Sequence, residues 1–290
     1  MAPVIQCCVC RPRSGRVVRI LSGNGGAAPG SRGEPMFRET LTLLSAVALT
    51  LSGGVIVLTL GLVLPWRWCF NPCFRVWSAG ILRAAGVRLD VVHLDAAAAG
   101  RDSFYVGNHQ SALDIPIMAV ATRGRVRFMA KKSLFRIPLF GQILRSFGFV
   151  SIDRTSARSA KSAIDRMLAR LAERGGSMLV FPEGTRTADG SVGAFKRGSV
   201  HVCQSAVLPI VPFAIDGSLA IHRRRVYRVQ PGVVRVVFGR AIEAEEARGM
   251  STDDLTRRLR DEVGRLKERA PHPVDVVDSP GSVEPVGGTG

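Results

Sequence analysis

Apolar and polar positions divide this chain into three regimes. From Thr40 to Trp66 no charged residue interrupts the sequence. That run is longer than the ~20 apolar residues that cross a bilayer as a helix. Gly53, Gly54 and Gly61 are compatible with such a helix, and Trp66 and Trp68 beside Arg67 suit the aromatic belt at a membrane interface. A second stretch, 69–86, places Phe70, Phe74, Val76, Trp77, Ile81 and Leu82 against Arg75 and Arg83. This basic, amphipathic pattern predicts a helix lying in the interface, with Pro72 in its first turn. The alternative is an amphipathic helix packed on the globular part.

From Val87 the period changes. Short runs rich in β-branched and aromatic residues at 87–93, 104–106, 126–130, 149–152, 178–181, 208–215 and 233–238 read as strands. Helical spacing falls between them at 112–122, 137–147, 157–174 and 195–204. A last helix, 251–270, opens on the cap-rich Ser251-Thr252-Asp253-Asp254. Alternation of this kind predicts an α/β fold: a mixed sheet flanked by helices, preceded by an N-terminal membrane-anchoring helical segment. The expected organisation is a disordered basic extension at 1–35, which is also a candidate mis-assigned start ahead of Met36. It continues with the anchor at 36–86, the catalytic domain at 87–270 and a disordered tail at 271–290.

Composition sharpens this reading in two respects. Hydrophobic residues make up 46% of the 290 positions, which is high for a chain without a membrane segment. The formal net charge of +17, with Arg outnumbering Lys, favours polyanions: nucleic acid, anionic lipid or phosphorylated substrates. A high-Arg, high-Ala genomic background gives the same bias. The six cysteines crowd the first ten residues, flank Pro72 or stand alone at Cys203, so they form no disulfide framework. Cys7, Cys8 and Cys10 have no second Cys/His pair at zinc-finger spacing, and no metal site is expected.

Three stretches carry candidate chemistry. In Asn108–Pro116, NHQSALDIP, four residues separate His109 from Asp114. The pair follows a short strand and precedes a helix, where an Asp can turn back to one imidazole nitrogen and leave the other as a base. The bland alternative is an Asp favoured in a helix first turn by the dipole, with the His bonded nearby. In Phe181-Pro-Glu-Gly-Thr-Arg186, Gly184 allows close backbone approach, Arg186 offers a phosphate-matching fork and Glu183 can accept from a hydroxyl. An ordinary strand-to-loop turn with a local Glu/Arg pair is the alternative there. Lys131 and Lys132 leave another strand in AKKSLFRIPLFG, and FVSIDR ends a further strand at Arg154. Leu134, Phe135, Ile137, Leu139 and Phe140 are candidates for an acyl groove or for a core-facing helix.

NHQSALDIP, AKKSLFRIPLFG with FVSIDR, FPEGTR and LPIVPFAI occur in this order. Together they resemble the four blocks of the glycerolipid acyltransferases, specifically the bacterial type of 1-acylglycerol-3-phosphate acyltransferase. The resemblance covers about residues 70–245 and includes Phe195-Lys196-Arg197-Gly198. Ser133 departs from the Glu of many members, and residues 1–35 have no counterpart.

The resemblance implies that His109 is the general base and Asp114 its orienting partner. The sn-2 hydroxyl of a lysophosphatidic acid would attack the thioester of acyl-CoA or acyl-carrier protein, giving phosphatidic acid with no cofactor and no acyl-enzyme. Arg186 with Lys131 and Arg154 would hold the acceptor phosphate, and Glu183, Gly184 and Thr185 would position the glycerol end. The expected place of work is the inner membrane, with the catalytic domain on the cytoplasmic side.

Competing readings are the same chemistry on another lysolipid, such as a lysophospholipid or lyso-ornithine lipid, and a non-catalytic basic protein bound to membrane or nucleic acid. Aromatic residues are only 6% and no nucleic-acid motif is present, so no nucleic-acid partner is expected. A metal hydrolase built on His109, Asp114 and Glu183 has too thin a ligand set.

Overall fold

A computed structural model describes residues 17–21, 66–95, 100–138, 140–146, 148–152, 157–222 and 229–269, together with single helical positions at Thr40, Leu44, Ala48, Ser52, Val55 and Thr59. Eight strands form one mixed sheet in the order β1-β2-β8-β7-β3-β6-β4-β5. They are β1 (Val17–Leu21), β2 (Val87–His93), β3 (Phe104–Gly107), β4 (Val126–Lys131), β5 (Val150–Ile152), β6 (Ser177–Val180), β7 (Ile210–Asp216) and β8 (Gly232–Phe238). From β7 through β3, β6 and β4 to β5 every pairing is parallel. β8 runs antiparallel to β7 and parallel to β2, and β1 closes the edge antiparallel to β2. β3 and β6 are buried at every position, as parallel strands covered on both faces require.

Helices α1 (Trp66–Ala84) and α2 (Asp114–Ala121) cover one face. Phe70, Phe74, Ile81 and Leu82 of α1 share a core with Ile117, Met118 and Val120 of α2 and with Leu89, Tyr105 and Val211 of the sheet. On the other face lie α4 (Ala157–Arg174), α5 (Arg197–Gln204) and α8 (Thr252–Glu268). There Met167, Val200 and Cys203 pack with Leu255, Leu259, Val263 and Leu266 against Phe104, Val106 and Val180. α8 presents its four apolar residues on one stripe and starts at Ser251, whose hydroxyl accepts from the Asp254 N–H at 3.1 Å. Three short helices, α3 (Phe140–Ser146), α6 (Ser218–Ile221) and α7 (Ala244–Gly249), are also among the described residues.

Four expectations change. The basic amphipathic stretch does not lie on a membrane along its apolar face, because Phe70 and Leu82 are fully buried in the domain core. Its helix begins at Trp66, so Pro72 sits inside α1 rather than in the first turn. The helix expected at 137–147 divides into a 3-10 turn, Lys132–Arg136, and α3. Val17–Leu21, assigned from sequence to a disordered extension, forms an edge strand. Most of the uncharged run 40–66, the linker around Arg154 and the tail 271–290 lie outside the described residues. Among the described residues no helix is long and apolar enough to cross a membrane.

Candidate active site

The site assembles at the carboxyl ends of the central parallel strands, where the loops of an open α/β sheet leave room for a ligand. Gly107 ends β3 against β7. A Cβ there would overlap both the backbone oxygen and the ring of Phe213, so only glycine lets the chain turn off the sheet at this point. The next residue, Asn108, is fully buried and pairs its amide with the backbone of Ile215: Nδ2 donates to O at 2.9 Å, and Oδ1 accepts from N at 2.8 Å. This pins the loop to β7 before His109.

Asp114 opens α2 and is completely buried. A single oxygen, Oδ2, receives His109 Nδ1 at 2.8 Å, the Gln110 N–H at 2.7 Å and the Ser111 N–H at 2.8 Å. An ionised carboxylate only accepts, so His109 carries its proton on Nδ1 and Nε2 is left with a free lone pair. The two backbone donors curl the loop round the carboxylate and fix the direction from which it meets the ring. Asp114 Oδ1 is buried without a hydrogen-bond partner among the described residues.

The imidazole stacks on Phe181 with centroids 4.1 Å apart and planes 12° from parallel, and Phe181 meets Phe213 edge-on. The ring is held on one face by an aromatic and on one edge by a carboxylate. The His109 side chain retains 18% exposure, enough for a substrate hydroxyl to reach it.

Glu183 lies next to the same loop. Its Oε1 accepts the His109 backbone N–H at 3.3 Å, and the residue is only 6% exposed. Burial pushes its carboxyl up to about 7, against the opposing pull of the His109 and Gly193 backbone. Through Oε1 this carboxyl supports the His109 loop. Thr187 N–H adds a bond to the His109 carbonyl at 3.0 Å, and Gln110 Nε2 donates to the Gly190 carbonyl at 2.7 Å. Lys267 from α8 donates to that same carbonyl. The loop after β6 is thus fastened both to the His109 loop and to the far helix.

Gly184 adopts φ +71°, and a Cβ there would run into the end of the Lys196 side chain. Thr185 is exposed and Arg186 half-buried. Arg186 and Asp114 are both near enough to act on His222, whose ring is held below the usual range first by burial and then by the Arg186 charge. Ser111 Oγ donates to the His222 carbonyl at 2.8 Å, so the segment after β7 is tied to the His109 loop. Lys131 ends β4 exposed, and no hydrogen bond or ion pair among the described residues joins it to the His109 cluster. Arg154 lies outside the described residues.

His109, Asp114 and Glu183 therefore come together, with Arg186 alongside. Sequence reasoning assigned no role to Asn108, Gln110, Ser111, Phe181 or His222. The first three lie within NHQSALDIP, so their place in that block was the available signal. Nothing local marked His222. Cys203 offers no nucleophile here: it is buried, and burial raises its thiol well above the usual range.

The site thus holds a histidine oriented by a buried carboxylate at the strand ends of a helix-covered sheet, with an arginine nearby. Residues 88–216 match the family model described as Acyltransferase. The chain resembles a 1-acyl-sn-glycerol-3-phosphate acyltransferase of Limnanthes alba, 30% identical over 64% of this chain and 62% of that protein. The chain thus spans about three-fifths of the length of that relative. A protein of the same name from Pseudomonas aeruginosa is 26% identical over 80% of this chain and 92% of its own. The fold matches the crystal structure of the 1-acyl-sn-glycerophosphate acyltransferase of Thermotoga maritima with a TM-score of 0.72 and 22% identity, over 86% of this chain and 99% of that one.

Proposed function

We propose that the protein transfers a fatty acyl group from a thioester, acyl-CoA or acyl-carrier protein, to the sn-2 hydroxyl of 1-acyl-sn-glycerol-3-phosphate, producing phosphatidic acid. The observation that carries this reading is the His109–Asp114 contact at 2.8 Å, with Nε2 free and Arg186 beside it. His109 Nε2 takes the hydroxyl proton as the oxygen attacks the thioester carbonyl. Asp114 stabilises the imidazolium that forms. The proton then passes from His109 to the departing thiolate, leaving product, free thiol and neutral histidine. General base catalysis supplies roughly 10²–10⁴-fold, and positioning of the two substrates supplies much of the rest.

Arg186 matches the acceptor phosphate through its planar fork. Lys131 and Arg154 belong to the same reading as further phosphate ligands, and Thr185 as a contact to the glycerol end. The uncharged run 40–66 is long enough to anchor the chain in the inner membrane with the catalytic domain on the cytoplasmic side, where a lipid acceptor is held and the product stays.

The test is a panel of lysolipid acceptors offered with one acyl donor and scored by product mass. Lysophosphatidate is expected to be used well above lysophospholipids and lyso-ornithine lipid. Preferential use of a lysolipid without a terminal phosphate would overturn the acceptor assignment.

A further inference from the structure

An open cavity of about 170 Å³ lies at the β5 edge of the sheet, away from the His109 cluster. Its floor is apolar, with Phe149 and Met167 buried beneath it. Its walls carry three guanidinium groups, Arg145, Arg166 and Arg170, and the half-exposed Ser151. No carboxylate among the described residues lines it. Arg145 donates to the Phe135 carbonyl at 2.8 Å and Arg166 to the Ser162 hydroxyl, so neither charge is neutralised by these bonds. Arg170 has no hydrogen bond or ion pair among the described residues. Three like charges around one apolar hollow repel each other, and the arrangement suits an anion carried on a flat apolar body. Its volume equals that of roughly six waters, enough for a phosphate and part of a ring.

The sheet fixes where this hollow stands relative to the chemistry. Val106 pairs with Val180, Phe128 with Leu179 and Met129 with Val150. Val150 is therefore level with Val106, at the same end of the sheet as His109. β5 lies three strands from β3, a separation of about 14 Å. In a lysophosphatidate the phosphate and the reacting hydroxyl sit on neighbouring carbons, so a phosphate in this hollow is too far from His109 to be the acceptor's. The thioester of coenzyme A is joined to its adenosine phosphates through the long pantetheine arm, so its distal end reaches such a distance.

We propose that the Arg145–Arg166–Arg170 hollow binds the phosphoadenosine end of a coenzyme A thioester, which makes acyl-CoA a direct donor. This rests on the acyl-transfer reading of the His109 site.

The test uses the full chain in lipid vesicles and the paired substitutions Arg166→Gln and Arg170→Gln, both at exposed positions. Two donors with the same acyl chain are compared: acyl-CoA and acyl-phosphopantetheine, which lacks the adenosine end. The Michaelis constant for acyl-CoA is expected to rise about tenfold or more, the loss of one or two charge-assisted bonds, with kcat unchanged. The constants for acyl-phosphopantetheine and for lysophosphatidate are expected to stay put. A rise for lysophosphatidate, no change for either donor, or transfer from acyl-carrier protein alone would each overturn the proposal. Calorimetric binding of adenosine 3′,5′-bisphosphate, measured on the unaltered and substituted chains, judges the hollow without any turnover. Binding lost on substitution supports it and absence of binding in the unaltered chain sinks it, even if the unaltered protein proves to transfer no acyl group and the reading of the His109 site fails.

Discussion

Glu183 Oε1 accepts the backbone N–H of His109 at 3.3 Å from a nearly closed environment. The acid of the FPEGTR stretch thereby braces the loop that holds the histidine. The same burial raises its carboxyl from the ordinary 4.5 to about 7.

The raised value has a signed consequence for stability. The folded chain binds this proton more tightly than the unfolded one, so the associated stability is present below pH 4.5 and is lost as pH rises to 7. Solvent screening at the site keeps the loss below about 3 kcal/mol. Glu183→Gln keeps an acceptor for the His109 N–H and removes the titration. Its Tm is expected to match the unaltered protein near pH 5 and to exceed it at pH 8. A difference that does not change between these two pH values would count against the buried carboxyl.

His109→Ala is expected to lower kcat by roughly 10²–10⁴-fold, with little change in Tm because the ring is part-exposed. Asp114→Asn is expected to be severe in both respects. An amide oxygen can take the place of Oδ2, but the NH2 group then stands where Oδ1 is buried with no partner among the described residues, and the charge that stabilises the imidazolium is gone. Kinetics paired with thermal denaturation separate the two effects. Near-normal turnover in His109→Ala would end the general-base assignment.

Arg186→Ala is expected to raise the Michaelis constant for the acceptor by roughly 10–100-fold, the loss of one or two charge-assisted bonds. Arg186→Lys recovers only part of this, since an ammonium lacks the planar fork. Steady-state kinetics with each substrate varied in turn provides the check. An effect confined to the thioester would reassign Arg186 to the donor.

Truncation tests the division between anchor and domain. A chain starting at Trp66 keeps α1 and its buried Phe70, Phe74 and Leu82. It is expected to stay folded and to lose flotation with vesicles. A chain starting at Val87 removes that layer. Truncating one buried phenylalanine to alanine already costs about 3–5 kcal/mol, so the shorter chain is expected not to fold. Flotation and circular dichroism on both chains decide it. Flotation of the Trp66 chain at full yield would place the membrane contact on the α/β domain instead.

Local pattern was sufficient for most of the architecture. Phe104–Gly107 is legible because a strand buried on both faces is continuously apolar, Gly232–Phe238 because it is rich in β-branched valines, and α4 because its apolar face repeats at helical spacing. The His109–Asp114 pair was legible too, since five positions round a strand–helix turn bring a side chain back on itself. Tertiary structure decided what depends on distant partners. Amphipathicity alone shows that α1 has an apolar face, but whether lipid or protein covers it depends on Leu89, Ile117 and Met118, which lie in other elements. Glu183 shows the same limit. Its sequence context offers an acid next to a flexible glycine, and only packing 74 positions away from His109 turns that acid inward and makes it a brace. Burial and long-range hydrogen bonds are properties of the folded neighbourhood, so the local sequence announces which groups are available and the fold assigns their partners.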